Sequence, residues 1–106
     1  MKRNGTCAVY ITAPHLIEAR KLVSRLLGKR LAACANVFRI DSSYWWRGKI
    51  CRNPEYAIIM KTKKALVKEL VREVRKMHSY EVPCVVAWDI TDGNPEFLNW
   101  VAEETK

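Results

Sequence analysis

Between Ala32 and Lys63 the chain reads as one β-hairpin, and each arm is well over the usual strand length of about five or six residues. The first arm holds Ala35-Asn36-Val37-Phe38-Arg39-Ile40 and runs on through Ser43-Tyr44-Trp45-Trp46. Arg47-Gly48 supplies a two-residue turn, with the glycine free to take a positive φ. The return arm begins at Lys49-Ile50-Cys51, breaks at Asn53-Pro54 and resumes as Tyr56-Ala57-Ile58-Ile59-Met60. Pro54 has no N–H to give to a ladder, so an edge or a bulge is expected there. A chain of 106 residues has little left to cover so much ribbon. The distal part, Ser43 to Arg52, carries Tyr44, Trp45, Trp46 and Ile50, and an exposed aromatic ribbon is an association hazard unless another chain takes it. The expectation is a homo-oligomer whose hairpins extend neighbouring sheets. The alternative is a ribbon that folds back over its own sheet.

The remaining segments fix the topology around that hairpin. Thr6-Cys7-Ala8-Val9-Tyr10-Ile11-Thr12 is apolar on both parities, as a central strand would be. Pro14 then opens a helix on which Leu16, Ala19, Val23 and Leu26 recur at helical steps, with Gly28 as the residue just past its end. After the hairpin, Leu66, Val67, Leu70, Val71, Val74 and Met77 mark one face of a second helix. Pro83 to Trp88 is a last strand, and Asn94-Pro95 starts a terminal helix with Phe97, Trp100 and Val101 on one face. The order is β-α-β-β-α-β plus a helix. That predicts one α+β domain over residues 1–106: a ferredoxin-like split sandwich, its four-stranded antiparallel sheet in the order 4-1-3-2. The expected core is Val9, Ile11, Val23, Leu26, Val37, Ile58, Met60, Leu70, Val74, Val85 and Ala87.

Composition removes several functions. Apolar residues make up 49% and charged residues 28%, so a wholly disordered chain is excluded. No apolar run approaches the roughly 18 residues of a membrane helix, and no membrane partner is expected. Met1 to Gly5 runs straight toward the first strand without a signal-peptide pattern, which makes the cytoplasm the expected compartment. The net charge is +8, but residues 61 to 78 hold seven bases on what reads as an outward helix face, the pattern of a solvated surface. An RNA-binding module shares this element order yet needs alternating aromatics on its third strand. Tyr56 to Lys61 offers only Tyr56, so nucleic acid is not an expected partner. Cys7, Cys34, Cys51 and Cys84 form no C-x-x-C, and no hydrolase or metalloprotease motif is present. Cys34 and His78 would pair as nucleophile and base only if the fold joined them, so no enzyme is expected.

The topology brings Thr12, Pro14, His15, Met77 and His78 to one end of the sheet, together with the start of the last strand and the hairpin tip. Along this framework run Thr12-Ala13-Pro14, Arg30-Leu31-Ala32-Ala33-Cys34-Ala35-Asn36, Tyr44-x-Trp46-x-Gly48-x-Ile50, Lys61-Thr62, His78-x-Tyr80-Glu81-Val82-Pro83 and Asp92-Gly93-Asn94-Pro95 with Trp100. These segments, in this order and spacing, resemble the CutA family of divalent-cation tolerance proteins. The resemblance implies a ferredoxin-like subunit, a homotrimer held by strand pairing between subunits, and a non-catalytic role in the response to metal ions. It marks Cys34, Tyr44, Trp46, Gly48, Lys61, Tyr80, Glu81 and Pro83 as motif or inter-subunit residues. Some bacterial members bind copper through a cysteine and a His-His pair, positions that here hold Ile11, Met77 and His78. Copper, or another divalent cation, is therefore expected to bind weakly through His78, with Met77 as a second donor. A trimeric small-ligand-binding regulator resembling the PII proteins is the alternative.

Overall fold

The computed structural model describes residues 5–106; Met1 to Asn4, part of the segment read above for a signal peptide, lie outside them. Four strands and three α-helices alternate as β1 (Thr6–Ala13), α1 (Leu16–Gly28), β2 (Cys34–Trp46), β3 (Lys49–Lys63), α2 (Val67–Met77), β4 (Val85–Ile90) and α3 (Pro95–Glu104). A single turn of 3-10 helix, Lys64–Leu66, leads into α2. The sheet order is β2-β3-β1-β4, with every pairing antiparallel, as expected for a split sandwich.

The β2–β3 hairpin is regular from Cys34 opposite Lys61 to Trp46 opposite Lys49. Arg47 (φ 51°) and Gly48 (φ 80°) both take positive φ, the twist that joins strands of this hand. Pro54 causes no bulge: it faces Asp41 in an unbroken register. It is tolerated because β1 pairs only as far as Tyr56, so that stretch of β3 has a neighbour on one side alone.

One face of the sheet is covered by α1 and α2. Val9, Ile11, Ile58 and Met60 from the strands meet Leu22 and Leu26 of α1 and Leu70 and Val74 of α2, all fully buried. Val23, Val37 and Val85 pack against this cluster and are only partly buried. Ala87 departs from the expected core: β4 is an edge strand, and its middle residues are exposed on both faces. The terminal helix α3 packs chiefly on β1 and β3, not on α1 or α2, and lies on the opposite face. Leu98 and Val101 are its buried residues; of the expected face, Phe97 and Trp100 lie further out and rest on each other at 5.6 Å.

Both ends of α1 differ from the sequence expectation. The helix starts at Leu16, not Pro14, because His15 is extended (φ −154°) and its Nδ1 accepts the Glu18 N–H at 3.2 Å. At the other end Gly28 is still helical, and Arg30 takes the left-handed conformation (φ 56°). The N–H groups of Arg30 and Leu31 then reach back to the carbonyls of Leu27 and Leu26, closing the helix without a glycine.

Glu73 ties the two helices of this face together. Its carboxylate is nearly buried and lies 3.1 Å from Lys29 Nζ and 3.4 Å from Arg25, with Lys76 at 3.7 Å. The hydrogen bond from Lys29 is the main cause that holds its pKa below the usual carboxylate range. Because the folded pKa is depressed, the stabilisation is present above the unfolded value of about 4.3 and is lost as pH falls through the folded value. Glu73→Gln is therefore expected to flatten the acid side of the stability-pH curve below about pH 5. Denaturant midpoints of both proteins across pH 2–6 check this.

Candidate functional site

His78 follows the last turn of α2, and its side chain is completely buried. Its Nδ1 accepts the Tyr80 N–H at 3.1 Å, which leaves Nε2 to carry the proton and donate it to the Thr12 carbonyl at 2.7 Å. Glu18 closes the same corner by accepting the Ser79 N–H at 3.0 Å. Burial by itself would raise the Glu18 pKa, but the Ser79 hydrogen bonds outweigh it and hold the carboxyl low. The expected convergence of Thr12, His15, Met77 and His78 at one sheet end is present. Its chemistry is structural: His78 pins the end of α2 to the end of β1 and shapes the turn into β4.

That turn carries Tyr80 onto the face of the sheet away from α1 and α2. The Tyr80 hydroxyl donates to Glu55 Oε2 at 2.6 Å, and its ring sits 4.9 Å from the His78 ring. Burial, then the hydrogen bond to Glu55, pushes the Tyr80 pKa far above its ordinary value, so the phenol stays a donor. Burial likewise pushes up the Tyr10 hydroxyl, helped by Cys84 and Glu55, and the Cys84 thiol, helped by Glu55. Around Glu55 lies a groove of about 940 Å³ between the hairpin, from Ile40 to Trp46, and the segment Ser79 to Cys84. The tip of the ribbon leans toward this segment, since Arg47 reaches Glu81 at 3.2 Å. The ribbon thus does part of what each sequence expectation required. It folds toward its own sheet to make a groove, yet still exposes Trp45 and Ile50.

The other expected residues are distributed unevenly. Tyr44, Trp46, Tyr80 and Glu81 line the groove; the Tyr44 hydroxyl accepts from Asn53 at 2.9 Å, and Arg47 lies over the Trp46 ring at 5.3 Å. Gly48 makes the hairpin turn, and Pro83 precedes β4. Cys34 and Lys61 face each other across β2 and β3, in line with Ala8 of β1. The contact of His78 with Thr12 lies four residues further along β1, roughly 13 Å away. A Cys34–His78 pair does not form. Met77 packs on the helix-covered side, beside Ile17 and Arg20, away from the groove. Sequence reasoning missed Glu55, Tyr10 and Cys84. Alternation held the signal: Glu55 pairs with Ile40, so it shares a sheet face with Tyr44 and Trp46.

The family model for the CutA1 divalent ion tolerance protein matches residues 7–104. The chain belongs to the CutA family. The divalent-cation tolerance protein CutA of Archaeoglobus fulgidus is 50% identical over 90% of this chain and 93% of its own length. The CutA protein of Pyrococcus horikoshii is 42% identical over 92% of this chain and 96% of its own. The solved structure of the A. fulgidus protein, described as periplasmic, superposes with a TM-score of 0.93 at 46% identity, covering 95% of this chain and 99% of that one. A CutA1 structure from Oryza sativa gives 0.94 at 35% identity, over 97% and 95% of the two chains. The Tyr44-x-Trp46-x-Gly48 and His78-x-Tyr80-Glu81 motifs of this CutA chain come together along one groove.

Removing the Tyr80 hydroxyl leaves a nearly buried carboxylate without its donor. Tyr80→Phe is expected to cost about 1–3 kcal/mol, whereas Tyr56→Phe, at a hydroxyl with no hydrogen-bond partner among the described residues, should cost far less. Urea unfolding of both variants measures the difference.

Proposed function

We propose that the chain is a non-catalytic, homotrimeric divalent-cation tolerance protein, a single CutA-like domain acting in the cytoplasm. The carrying observation is the outer face of the ribbon, where Trp45 and Ile50 stand opposite each other and are 71% and 49% exposed. Val86 and Trp88 on the edge strand β4 are also half exposed, so apolar surface and a free strand edge occur together. A second copy that pairs with the edge and covers the aromatics removes both liabilities. No helix among the described residues is long and apolar enough to cross a membrane. The cytoplasmic part is supported by four free cysteines, the usual state of thiols in a reducing compartment.

Copper at His78 is not part of this proposal. A copper ligand offers an imidazole lone pair, and in His78 that pair, on Nδ1, is taken by the Tyr80 N–H while Nε2 serves Thr12. Met77 is on the other side of the sheet. Among the described residues no three of His, Cys, Asp and Glu lie close enough together to hold a metal ion. The divalent-cation role is carried by family membership. The groove favours a second reading, a PII-like trimeric regulator that binds a small ligand, because its volume falls within the ordinary range for such sites.

Sedimentation velocity at micromolar concentration is expected to show a trimer. Trp45→Ala should keep the fold and lose about 2 kcal/mol or more of association free energy, moving material to a smaller species. A well-folded monomer of the unmutated chain would refute the assembly. Calorimetric titration with copper should give the same weak or absent heat for the protein and for His78→Ala.

A further inference from the structure

The helix layer carries a charge imbalance that packing does not require. α1 with the Lys29 that follows it, together with α2, holds eight bases against three acids, Glu18, Glu69 and Glu73. The fold turns all three acids to other uses. Glu18 accepts the Ser79 N–H, Glu69 reaches Lys106 at 2.7 Å, and Glu73 is nearly buried between the helices. Glu73 already gathers Arg25, Lys29 and Lys76, three cations on one carboxylate. Arg20, Lys21, Lys68, Arg72 and Arg75 are exposed and have no ion-pair partner among the described residues. Lys68, Arg72 and Arg75 recur at four- and three-residue steps, which makes one outward row about 10 Å long on α2. Arg20 and Lys21 stand on the outward side of α1, away from its buried Ala19, Leu22 and Leu26.

A face that only keeps a protein soluble mixes both signs, whereas a field of one sign attracts a polyanion. Neither helix carries an aromatic residue to stack on unpaired bases, so a single strand fits poorly. An anionic bilayer fits poorly too, since Ile17 is the one large apolar side chain exposed on these helices among the described residues. Duplex nucleic acid presents closely spaced phosphates and needs neither feature. Three of the five unpaired cations are arginines, whose planar guanidinium can meet two phosphate oxygens at once. We propose that the outward face of α1 and α2 binds the phosphate backbone of duplex nucleic acid without reading its sequence. This mode differs from the sheet-based RNA recognition for which β3 lacks the aromatics, and it uses a different face. The inference goes beyond the proposed function and depends on neither the trimer nor the groove.

Fluorescence anisotropy of a labelled duplex of about 20 base pairs, titrated with the full chain between about 50 and 200 mM salt, tests it. A micromolar dissociation constant is expected at the lowest salt, with log affinity falling against log salt at a slope of about −4 to −5, as for five neutralised phosphates. Arg72→Gln combined with Arg75→Gln removes two exposed, partnerless cations; it should reduce the slope by about 2 and weaken binding about tenfold or more. Lys63→Gln removes a cation that donates instead to the Lys106 carbonyl, and should change binding less than about twofold. Circular dichroism reports folding of each variant, and Arg20→Gln with Lys21→Gln makes the same test on α1 if the α2 pair fails to fold. The duplex made as DNA and as RNA carries the same phosphodiester; binding of either supports the proposal, and their ratio names the source. No anisotropy change at the lowest salt, or affinity unchanged in both double variants, overturns it. Tighter binding of a single strand of the same length overturns the duplex mode. Stronger association with phosphatidylglycerol vesicles than with either duplex would make the face a membrane surface and overturn the proposal.

Discussion

Much of the structure follows from one mismatch of lengths. β3 is 15 residues long, and the 8-residue β1 pairs only with its second half, Tyr56 to Lys63. Beyond that point β3 has β2 alone for company, and a two-stranded ribbon has no sheet against which to bury a face. The overhang is free to lean toward the segment before β4, and the groove forms beneath it. On its outward face Trp45 and Ile50 stay exposed.

The two sheet faces are used for different purposes. Under α1 and α2 the face is apolar and closed, with Glu73 as a polar clasp between the helices. The other face is shared between α3 at one end and the groove at the other. His78 links the two. Placed at the end of α2, it holds β1 through Thr12 and sets the turn that sends Tyr80 across to Glu55. A histidine that ligand chemistry would single out serves here as a pin, and the acid-aromatic pair of Glu55 and Tyr80 is built two residues further on.

Family membership and groove geometry answer different questions. The CutA family model covers nearly the whole chain, which settles the fold and the lineage. What the groove holds is decided by the side chains that reach it, and these are carboxylates, hydroxyls and aromatic rings with Cys84 as the one thiol. At the copper position suggested by resemblance, His78 makes protein hydrogen bonds through both ring nitrogens.

Element order, the place of the hairpin turn and most of the core were legible in the sequence because they depend on periodicity and turn chemistry, both local properties. Val9, Ile11, Leu26, Ile58, Met60, Leu70 and Val74 are buried as their spacing requires, and Arg47-Gly48 turns the hairpin as its glycine requires. The unbroken ladder through Pro54, the exposure of Ala87 and the left-handed Arg30 were not legible. Each depends on what lies beside the residue: the short reach of β1, the edge position of β4, and the carbonyls of α1 that a following loop can cap. Glu55 belongs with these. In the sequence it is one acid before a run of strand residues; alternation can place it on a face with Tyr44 and Trp46 but cannot show that it is buried. Only the tertiary structure sets Tyr80 against it from 25 positions away, beside the groove that the ribbon overhangs.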